Sequence, residues 1–135
     1  MGALYLDTSA VLRAILEVGT TPEIEDRISG ADVLITSRLS LVESARALVR
    51  AKVLGRLSER ENVHVERALD EVWARCHVWE ITRAICERAA SIAPRTSLRT
   101  LDAIQLATFV EARRRLGEVE LLTVDERLSA ALGAH

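Results

Sequence analysis

The sequence predicts an α/β fold, in which a parallel sheet of about four strands is flanked by helices on both faces. Short apolar segments alternate with helical segments along the 135 residues. Those segments are apolar throughout instead of at every second residue, which is typical of parallel strands that are covered on both sides. Hydrophobic residues make up 49% of the chain, so bulk disorder is excluded. We expect one domain over residues 1–135.

The first elements are separated by capping and turn residues. The apolar run at residues 3–7 predicts a strand, and Thr8 or Ser9 is expected to cap the helix that follows. A second helix opens at Pro22, because proline favours the first helical position. The next apolar run predicts a buried strand at residues 32–36.

The middle of the chain is predicted to be helical on both sides of one strand. Ser37 is expected to cap the third helix. Ser58 and Glu61 have the spacing of a capping box, in which each side chain bonds the backbone N–H of the other residue, and predict a long helix over 58–75. An apolar run predicts the third strand at residues 77–81.

The last third is expected to add two helices, a strand and a short terminal helix. The helix over 82–93 stops before Pro94, and we expect it to form an extra helical layer with the preceding long helix. Thr100 caps the next helix, which is apolar around most of its circumference and is therefore predicted to be buried. The fourth strand is predicted at residues 119–124, and a short helix after Asp125.

No membrane or disulfide signature is present in the sequence. The longest apolar stretches are far shorter than the roughly 20 residues that cross a bilayer, and the N-terminus has no signal-peptide pattern, so we expect a cytoplasmic protein. Cys76 and Cys86 have no zinc-binding spacing and are expected to be buried thiols. The histidines, His64, His77 and His135, form no helical pair, so zinc is disfavoured.

Charge is unevenly distributed although the net charge is only −2. Residues 38–60 and 88–115 each carry six basic side chains against two acidic ones, whereas residues 17–32 carry five acids and one arginine. Such segregation can attract a polyanion despite a neutral total, although solvated helix faces would give the same pattern. Seventeen of the eighteen basic side chains are arginine, which binds phosphate in a bidentate manner.

Three aspartates are predicted to meet at one edge of the sheet. Asp7 closes the first strand, Asp125 follows the last strand, and Asp102 lies in the first turn of the helix that Thr100 caps. In a parallel sheet the ligand crevice lies beyond the carboxyl ends of the strands, where the following helices begin. Each acid alone could equally be an ordinary helix-start residue.

A divalent cation would make such a cluster tolerable. Two carboxylates about 4 Å apart repel by roughly 4 kcal/mol at an effective dielectric constant of 20. Because all the candidate ligands are oxygens, Mg²⁺ or Mn²⁺ is the expected ion.

Glu43 is a fourth candidate acid that the hydrophobic pattern does not support. It follows the second strand on the helix from Ser37 and could lean over the crevice, but it points away from the apolar stripe and would be taken for a surface acid. The stripe on this helix is formed by Leu41, Val42, Ala45, Leu48 and Val49.

Four short motifs, in order, resemble the acidic motifs of PIN-domain nucleases, and in length and order the chain most resembles the VapC toxins of bacterial toxin–antitoxin pairs. The match spans nearly all of the chain. The motifs are Leu6-Asp7-Thr8-Ser9-Ala10, Ser40-Leu41-Val42-Glu43-Ser44-Ala45-Arg46, Leu101-Asp102-Ala103-Ile104-Gln105-Leu106-Ala107 and Thr123-Val124-Asp125-Glu126-Arg127-Leu128.

The resemblance implies a Mg²⁺- or Mn²⁺-dependent endoribonuclease that acts as the toxin of a pair, is a homodimer, and is covered by a small antitoxin. Its acids would be Asp7, Glu43, Asp102 and Asp125, with the three aspartates as metal ligands and Thr8 and Thr123 as supporting hydroxyls. Gln105 departs from the histidine that many relatives carry, and we expect this change to affect packing or substrate contact and not the chemistry.

In the mechanism we expect, the carboxylates hold one or two divalent ions that activate a water for attack on an RNA phosphodiester. Arginines would position the RNA, with residues 113–115 as a weaker set that could be a solvated helix end. The first candidates are Arg46, Arg50, Arg95 and Arg99.

Other classes fit less well. A receiver-type phosphoacceptor needs a lysine after a late strand, but the sole lysine, Lys52, follows a helix. A dehalogenase-like phosphatase needs a second aspartate where Ser9 stands, and no glycine-rich nucleotide motif occurs. The remaining alternative is a catalytically inactive PIN-like module that binds RNA or a protein partner.

Overall fold

A four-stranded parallel sheet forms the centre of the molecule. The computed structural model describes residues 2–133, and every strand pair in the sheet is parallel, in the order β3-β2-β1-β4. This arrangement confirms the predicted fold class. The strands are β1 (Ala3–Leu6), β2 (Val33–Ser37), β3 (Cys76–Trp79) and β4 (Val119–Leu122).

Seven helices connect and cover these strands within the described residues. Several capping residues follow the sequence signals: Ser58 and Glu61 form the predicted capping box, and the Ser37 hydroxyl accepts a hydrogen bond from Leu39 N–H. The predicted caps at Thr8 or Ser9 and at Thr100 are wrong, because Asp7 and Arg99 occupy the N-cap positions of α1 and α6. The helices are α1 (Thr8–Leu16), α2 (Pro22–Gly30), α3 (Arg38–Val53), α4 (Glu59–Arg75), α5 (Arg83–Ala89), α6 (Thr100–Leu116) and α7 (Glu126–Leu132).

The strand register brings the ends of β1 and β4 side by side. Leu6 pairs with Leu122, and Asp7 N–H donates to the Leu122 carbonyl at 3.1 Å. Asp7 therefore leaves the sheet next to the segment that follows β4. Since β2 lies on the other side of β1, the beginning of α3 reaches the same edge.

Two hydrophobic cores lie on opposite faces of the sheet. Leu4 and Leu6 of β1 belong to the core beneath α1, α2 and α4, whereas Tyr5 belongs to the core beneath α6 and α7. Successive side chains of a strand point to opposite faces, so this division follows directly from the strand period. Tyr5 packs edge-on against Phe109 with their ring centroids 5.8 Å apart.

The predicted extra layer made of the helices over 58–75 and 82–93 is wrong. The long helix α4 packs on α1 and α3, because Val65, Leu69 and Trp73 extend the core that contains Leu4. The short helix α5 packs instead on α6, and it ends at Ala89, four residues before the predicted end. The two helices thus belong to different faces.

Some smaller expectations also differ from the structure. β3 begins at Cys76, one residue before the predicted start, and ends at Trp79. Cys86 is exposed and Cys76 is half-buried, so the prediction of two buried thiols is wrong, although burial raises the pKa of the Cys76 thiol to about 11. His135 lies outside the described residues, and across residues 2–133 no helix is long and apolar enough to span a bilayer.

Candidate active site at the carboxyl edge of the sheet

Asp7 is the most deeply buried acid at the predicted edge. Only 6% of the residue is exposed. Its Oδ2 atom accepts hydrogen bonds from the Ser9 hydroxyl at 2.5 Å and from the Thr123 hydroxyl at 2.7 Å. Ser9 reaches back because α1 begins immediately after Asp7, and Thr123 is adjacent because β4 pairs with β1.

The environment of Asp7 disfavours its ionised form. Burial raises the pKa of the Asp7 carboxyl, while the hydrogen bonds from Ser9 and Thr123 lower it. The negative charges of Glu43 and Asp125 raise it further, so both carboxylates lie within electrostatic range of Asp7. Three of the four predicted acids therefore interact electrostatically at this edge.

Asp125 is placed by the segment between β4 and α7. Its carboxylate caps α7 through Oδ1, which accepts from Arg127 N–H at 2.8 Å and Leu128 N–H at 3.3 Å. Its backbone N–H donates to the Thr123 hydroxyl at 3.0 Å, and that hydroxyl donates to Asp7. Asp125 thus caps α7 and is also linked to Asp7 through the Thr123 hydroxyl.

Glu43 reaches the site from α3. Its Oε1 atom accepts from the Thr8 hydroxyl at 2.8 Å and from the Gln105 side-chain amide at 2.8 Å. The interpretation of Glu43 as a surface acid, which the hydrophobic pattern favoured, is therefore wrong. The resemblance to the acidic motif indicated the position that the structure shows.

The orientation of α3 explains why its hydrophobic pattern indicated the wrong face for Glu43. Leu39, Ser40 and Ser44 are the buried residues of this helix, while Val42 and Val49 of the expected apolar stripe are 54% and 46% exposed. These small serines accept hydrogen bonds from the sheet and from α4, and Thr36 of β2 donates to Ser40 at 2.7 Å. One of these bonds joins the Trp73 indole N–H to the Ser44 hydroxyl at 3.1 Å.

Asp102 stands apart from this cluster in the observed arrangement. Its Oδ2 accepts a 3.4 Å hydrogen bond from the backbone N–H of Arg99, so the carboxylate turns back on the start of its own helix. It lies one turn before Gln105 on α6, on the face that includes the contact with Glu43. The helix α6 therefore brings Asp102 to the edge of the sheet that contains Glu43. The Asp102 carboxylate itself is hydrogen-bonded to the backbone at the start of α6.

The side chains at this edge offer carboxylate oxygens, which are the ligands that a hard divalent cation prefers. Across residues 2–133, no three His, Cys, Asp or Glu side chains are close enough in this arrangement to ligate one ion. The carboxylates of Asp7, Glu43 and Asp125 nevertheless supply only oxygen, which is the ligand atom that Mg²⁺ and Mn²⁺ prefer. Burial is the main reason that the pKa of Asp7 is raised, and the charges of Glu43 and Asp125 add to it.

The candidate RNA-contacting arginines are all exposed. Arg46 and Arg50 follow Glu43 by three and seven residues on α3, so they continue its helical face away from the site. Arg99 directly precedes α6, and Arg95 lies in the loop before it. In the part of the chain that the structure describes, none of the four forms an ion pair with an acid.

The weaker arginine set, residues 113–115, makes contacts within the protein that the first candidates lack. Arg114 and Arg115 donate to Glu111 at 2.6 and 3.0 Å, and Arg88 adds a contact at 3.3 Å. Glu111 is buried, and the hydrogen bond from Arg114 is the main reason that its pKa falls to about 2. Arg113 lies over the Phe109 ring at 5.0 Å.

Sequence reasoning missed several polar residues that assemble the site. Ser9 donates to Asp7 and accepts from Val124 N–H at 3.2 Å, a role beyond the helix cap that its position predicts. Ser40 accepts from Gln105 at 3.0 Å and from Thr36 at 2.7 Å. The available signal was the presence of hydroxyl and amide side chains in segments that are otherwise buried.

The family model of the PIN domain matches residues 4–132. The chain therefore belongs to the PIN-domain family. Ribonuclease VapC35 of Mycobacterium tuberculosis is 34% identical over 133 residues, which cover 97% of this chain and 90% of the relative. Within the family, the chain belongs with the VapC ribonucleases, as the four motifs indicated.

Solved structures share the same fold. M. tuberculosis VapC20, described as a toxin that cleaves the sarcin–ricin loop, superposes with a TM-score of 0.67 at 21% identity, over 95% of this chain and 94% of that one. A toxin–antitoxin complex from Klebsiella pneumoniae gives a TM-score of 0.64 at 22% identity, over 94% and 90% of the two chains.

Proposed function

We propose that this VapC-family chain is a divalent-metal-dependent endoribonuclease that hydrolyses RNA phosphodiester bonds and acts as the toxin of a toxin–antitoxin pair. One observation carries the proposal above all: Asp7 is buried at the carboxyl edge of the sheet, where burial raises its pKa and the negative charges of Glu43 and Asp125 raise it further. A bound cation would offset the charge of these carboxylates, and perturbed acids of this kind are typical of functional sites.

The residues divide into ligands and supporting groups. We propose that Asp7, Asp102 and Asp125 hold the ion, and that Glu43 completes the acidic set. The hydroxyl of Thr123 fixes Asp7, and the hydroxyl of Thr8 fixes Glu43. Asp102 can join the cluster by releasing its long 3.4 Å bond to Arg99 N–H, which costs little because the helix start is exposed.

When bound, Mg²⁺ or Mn²⁺ would lower the pKa of a water and offset charge on the phosphate. The protein's own residues exclude water from one side of Asp7 and hold its carboxylate at a fixed position through Ser9 and Thr123. Arg46, Arg50, Arg95 and Arg99 are proposed to bind RNA phosphates, because they are exposed and have no acidic partner among the described residues.

We propose the protein partners of this chain from its family membership. A solved relative is a toxin–antitoxin complex, so a small antitoxin is the expected protein partner of this chain. We also propose a homodimer, and a cytoplasmic location because RNA and the antitoxin would be encountered there.

The test is an RNA digestion with purified chain in Mg²⁺ or Mn²⁺, with and without chelator. Cleavage that requires the ion and is lost in Asp102→Asn, while the far-UV circular dichroism is unchanged, supports the proposal. RNA binding without cleavage in either metal would instead identify an inactive module.

A further inference from the structure

Gln105 is a buried amide whose oxygen and nitrogen bond side chains from β1 and α3, respectively. Only 2% of the residue is exposed, in the middle of the helix α6. Its Oε1 accepts from the Tyr5 hydroxyl at 2.6 Å. Its Nε2 donates to Glu43 at 2.8 Å and to Ser40 at 3.0 Å, with Thr8 at 3.3 Å. Such a buried polar group is tolerated only when its hydrogen-bonding capacity is satisfied, as it is here.

The charge on Glu43 fixes which way this amide points. If the amide were turned over, its oxygen would face a carboxylate oxygen, and two acceptors would be left in contact. The nitrogen must therefore face Glu43, and the oxygen must face Tyr5. Tyr5 is fully buried and keeps its proton, so it serves as a permanent donor to Gln105.

Two donors from two different helices hold one oxygen of Glu43. Thr8 at the start of α1 and Gln105 on α6 both bind Oε1, and no described residue donates to Oε2. A glutamate side chain has several rotatable bonds and is ordered only when such contacts constrain it. The arrangement thus leaves Oε2 available at the edge that contains Asp7.

We propose that Gln105 is a positioning residue for hydrolysis, oriented by Tyr5, which holds Glu43 so that its second oxygen serves the reaction. The inference rests on the proposed function. Since Gln105 is buried, it acts through Glu43 and does not touch RNA, so its loss reduces kcat and leaves the KM for RNA nearly unchanged.

The kinetic test uses Gln105→Leu, which keeps the approximate size of the side chain and removes both hydrogen-bonding groups. We expect kcat to fall by about 10- to 100-fold, the range seen when groups that orient active-site ligands are removed. Gln105→His should recover most of the loss, because one ring nitrogen can donate to Glu43 while the other accepts from Tyr5. Ser58→Ala is the control, since it removes a helix-capping hydrogen bond from Glu61 N–H at the start of α4 and should leave kcat unchanged.

A double-mutant cycle separates positioning from general loosening of the core. Tyr5→Phe should lower kcat in the wild-type background and have a much smaller effect in Gln105→Leu, because the hydrogen-bonded path from Tyr5 to Glu43 runs through the amide. Additive effects of the two substitutions would overturn the proposal, as would an unchanged kcat in Gln105→Leu.

A spectroscopic test needs neither metal nor RNA. The chain contains one glutamine, Gln105, and one asparagine, Asn62, so the side-chain amide region of a ¹⁵N–¹H spectrum holds two assignable pairs. Glu43→Ala should shift the Gln105 pair and speed its exchange with solvent, while the Asn62 pair on α4 stays in place.

The two tests also separate this inference from the proposed function. A wild-type chain that cuts no RNA contradicts the proposed function, and the amide spectrum then decides alone whether Gln105 holds Glu43. A Gln105 signal that is unchanged in Glu43→Ala overturns the inference whatever the activity.

Discussion

Asp7 lowers the stability of the fold at neutral pH, because its pKa is raised there. Because burial and the neighbouring carboxylates raise its pKa in the fold, the folded state binds the proton more tightly than the unfolded state. Asp7→Asn should therefore raise the melting temperature at neutral pH. Its ion-dependent RNA cleavage should fall on the order of 10³-fold, because metal-ion catalysis supplies several kcal/mol of barrier reduction.

The size of this stability effect depends on pH. Below the ordinary Asp pKa of 3.8 the carboxyl is protonated in both states, so the two proteins should then melt alike. Thermal unfolding of both proteins across this range measures the difference. Ser9→Ala is a useful comparison, because it removes a hydrogen bond to Asp7 and should destabilise instead. A less stable Asp7→Asn protein at neutral pH would contradict the prediction.

Glu111 has the opposite effect on stability. Its pKa is lowered to about 2, first by the hydrogen bond from Arg114, so its ionised form stabilises the fold above the ordinary value of 4.5. Glu111→Gln should cost about 1–3 kcal/mol at neutral pH, because the carboxylate is buried while its arginine partners are mostly exposed.

The loss should shrink on acidification between pH 4.5 and about 2, as the wild-type chain loses the contribution of the ionised group. Urea unfolding at neutral and acidic pH measures both effects. Glu118→Gln, on an exposed residue shortly after α6, is the control and should leave stability nearly unchanged. A constant difference across this pH range would show that the stabilisation does not come from the charge on Glu111.

For individual helices and strands, the sequence predicted those features that depend on contacts between residues close together in the chain. The capping box of Ser58 and Glu61 is present because both bonds lie within one turn. The direction in which α3 faces was not predictable from its own pattern, because it depends on serines that pack on the sheet and on Gln105 from a distant helix. The same limit applies to Asp102, whose side chain is engaged by its own helix start.

The capping box of α4 gives a prediction at this scale. Ser58→Ala removes the acceptor for Glu61 N–H and should lower the free energy of unfolding by about 1 kcal/mol. Urea unfolding measures it, and Ser129→Ala, at an exposed position within α7, is the matched control. RNA cleavage should be unaffected, and equal stabilities of the two variants would show that the cap contributes nothing.

For the whole molecule, the parallel topology is the reason that the acids could be located from sequence. Parallel strands joined by right-handed crossovers bring their carboxyl ends to one edge, so Asp7 and Asp125 are linked through the Thr123 hydroxyl although more than a hundred residues separate them. Sequence could not show which arginines are free, because ion pairs such as Arg114 with Glu111 depend on how side chains turn on the folded surface.

The difference between arginines with and without an acidic partner predicts where the molecule binds RNA. In the inactive Asp7→Asn background, replacing Arg46 and Arg50 with alanine should weaken RNA binding and reduce the salt dependence of log K by roughly 1.4, since each phosphate contact to a single strand contributes about 0.7. The control replaces Arg114 and Arg115, which changes the net charge equally but removes side chains that Glu111 already binds. If binding depended only on net charge, both double variants would weaken it alike. Fluorescence anisotropy over a series of salt concentrations distinguishes the two outcomes, and an equal loss in both would contradict placement of the RNA along α3.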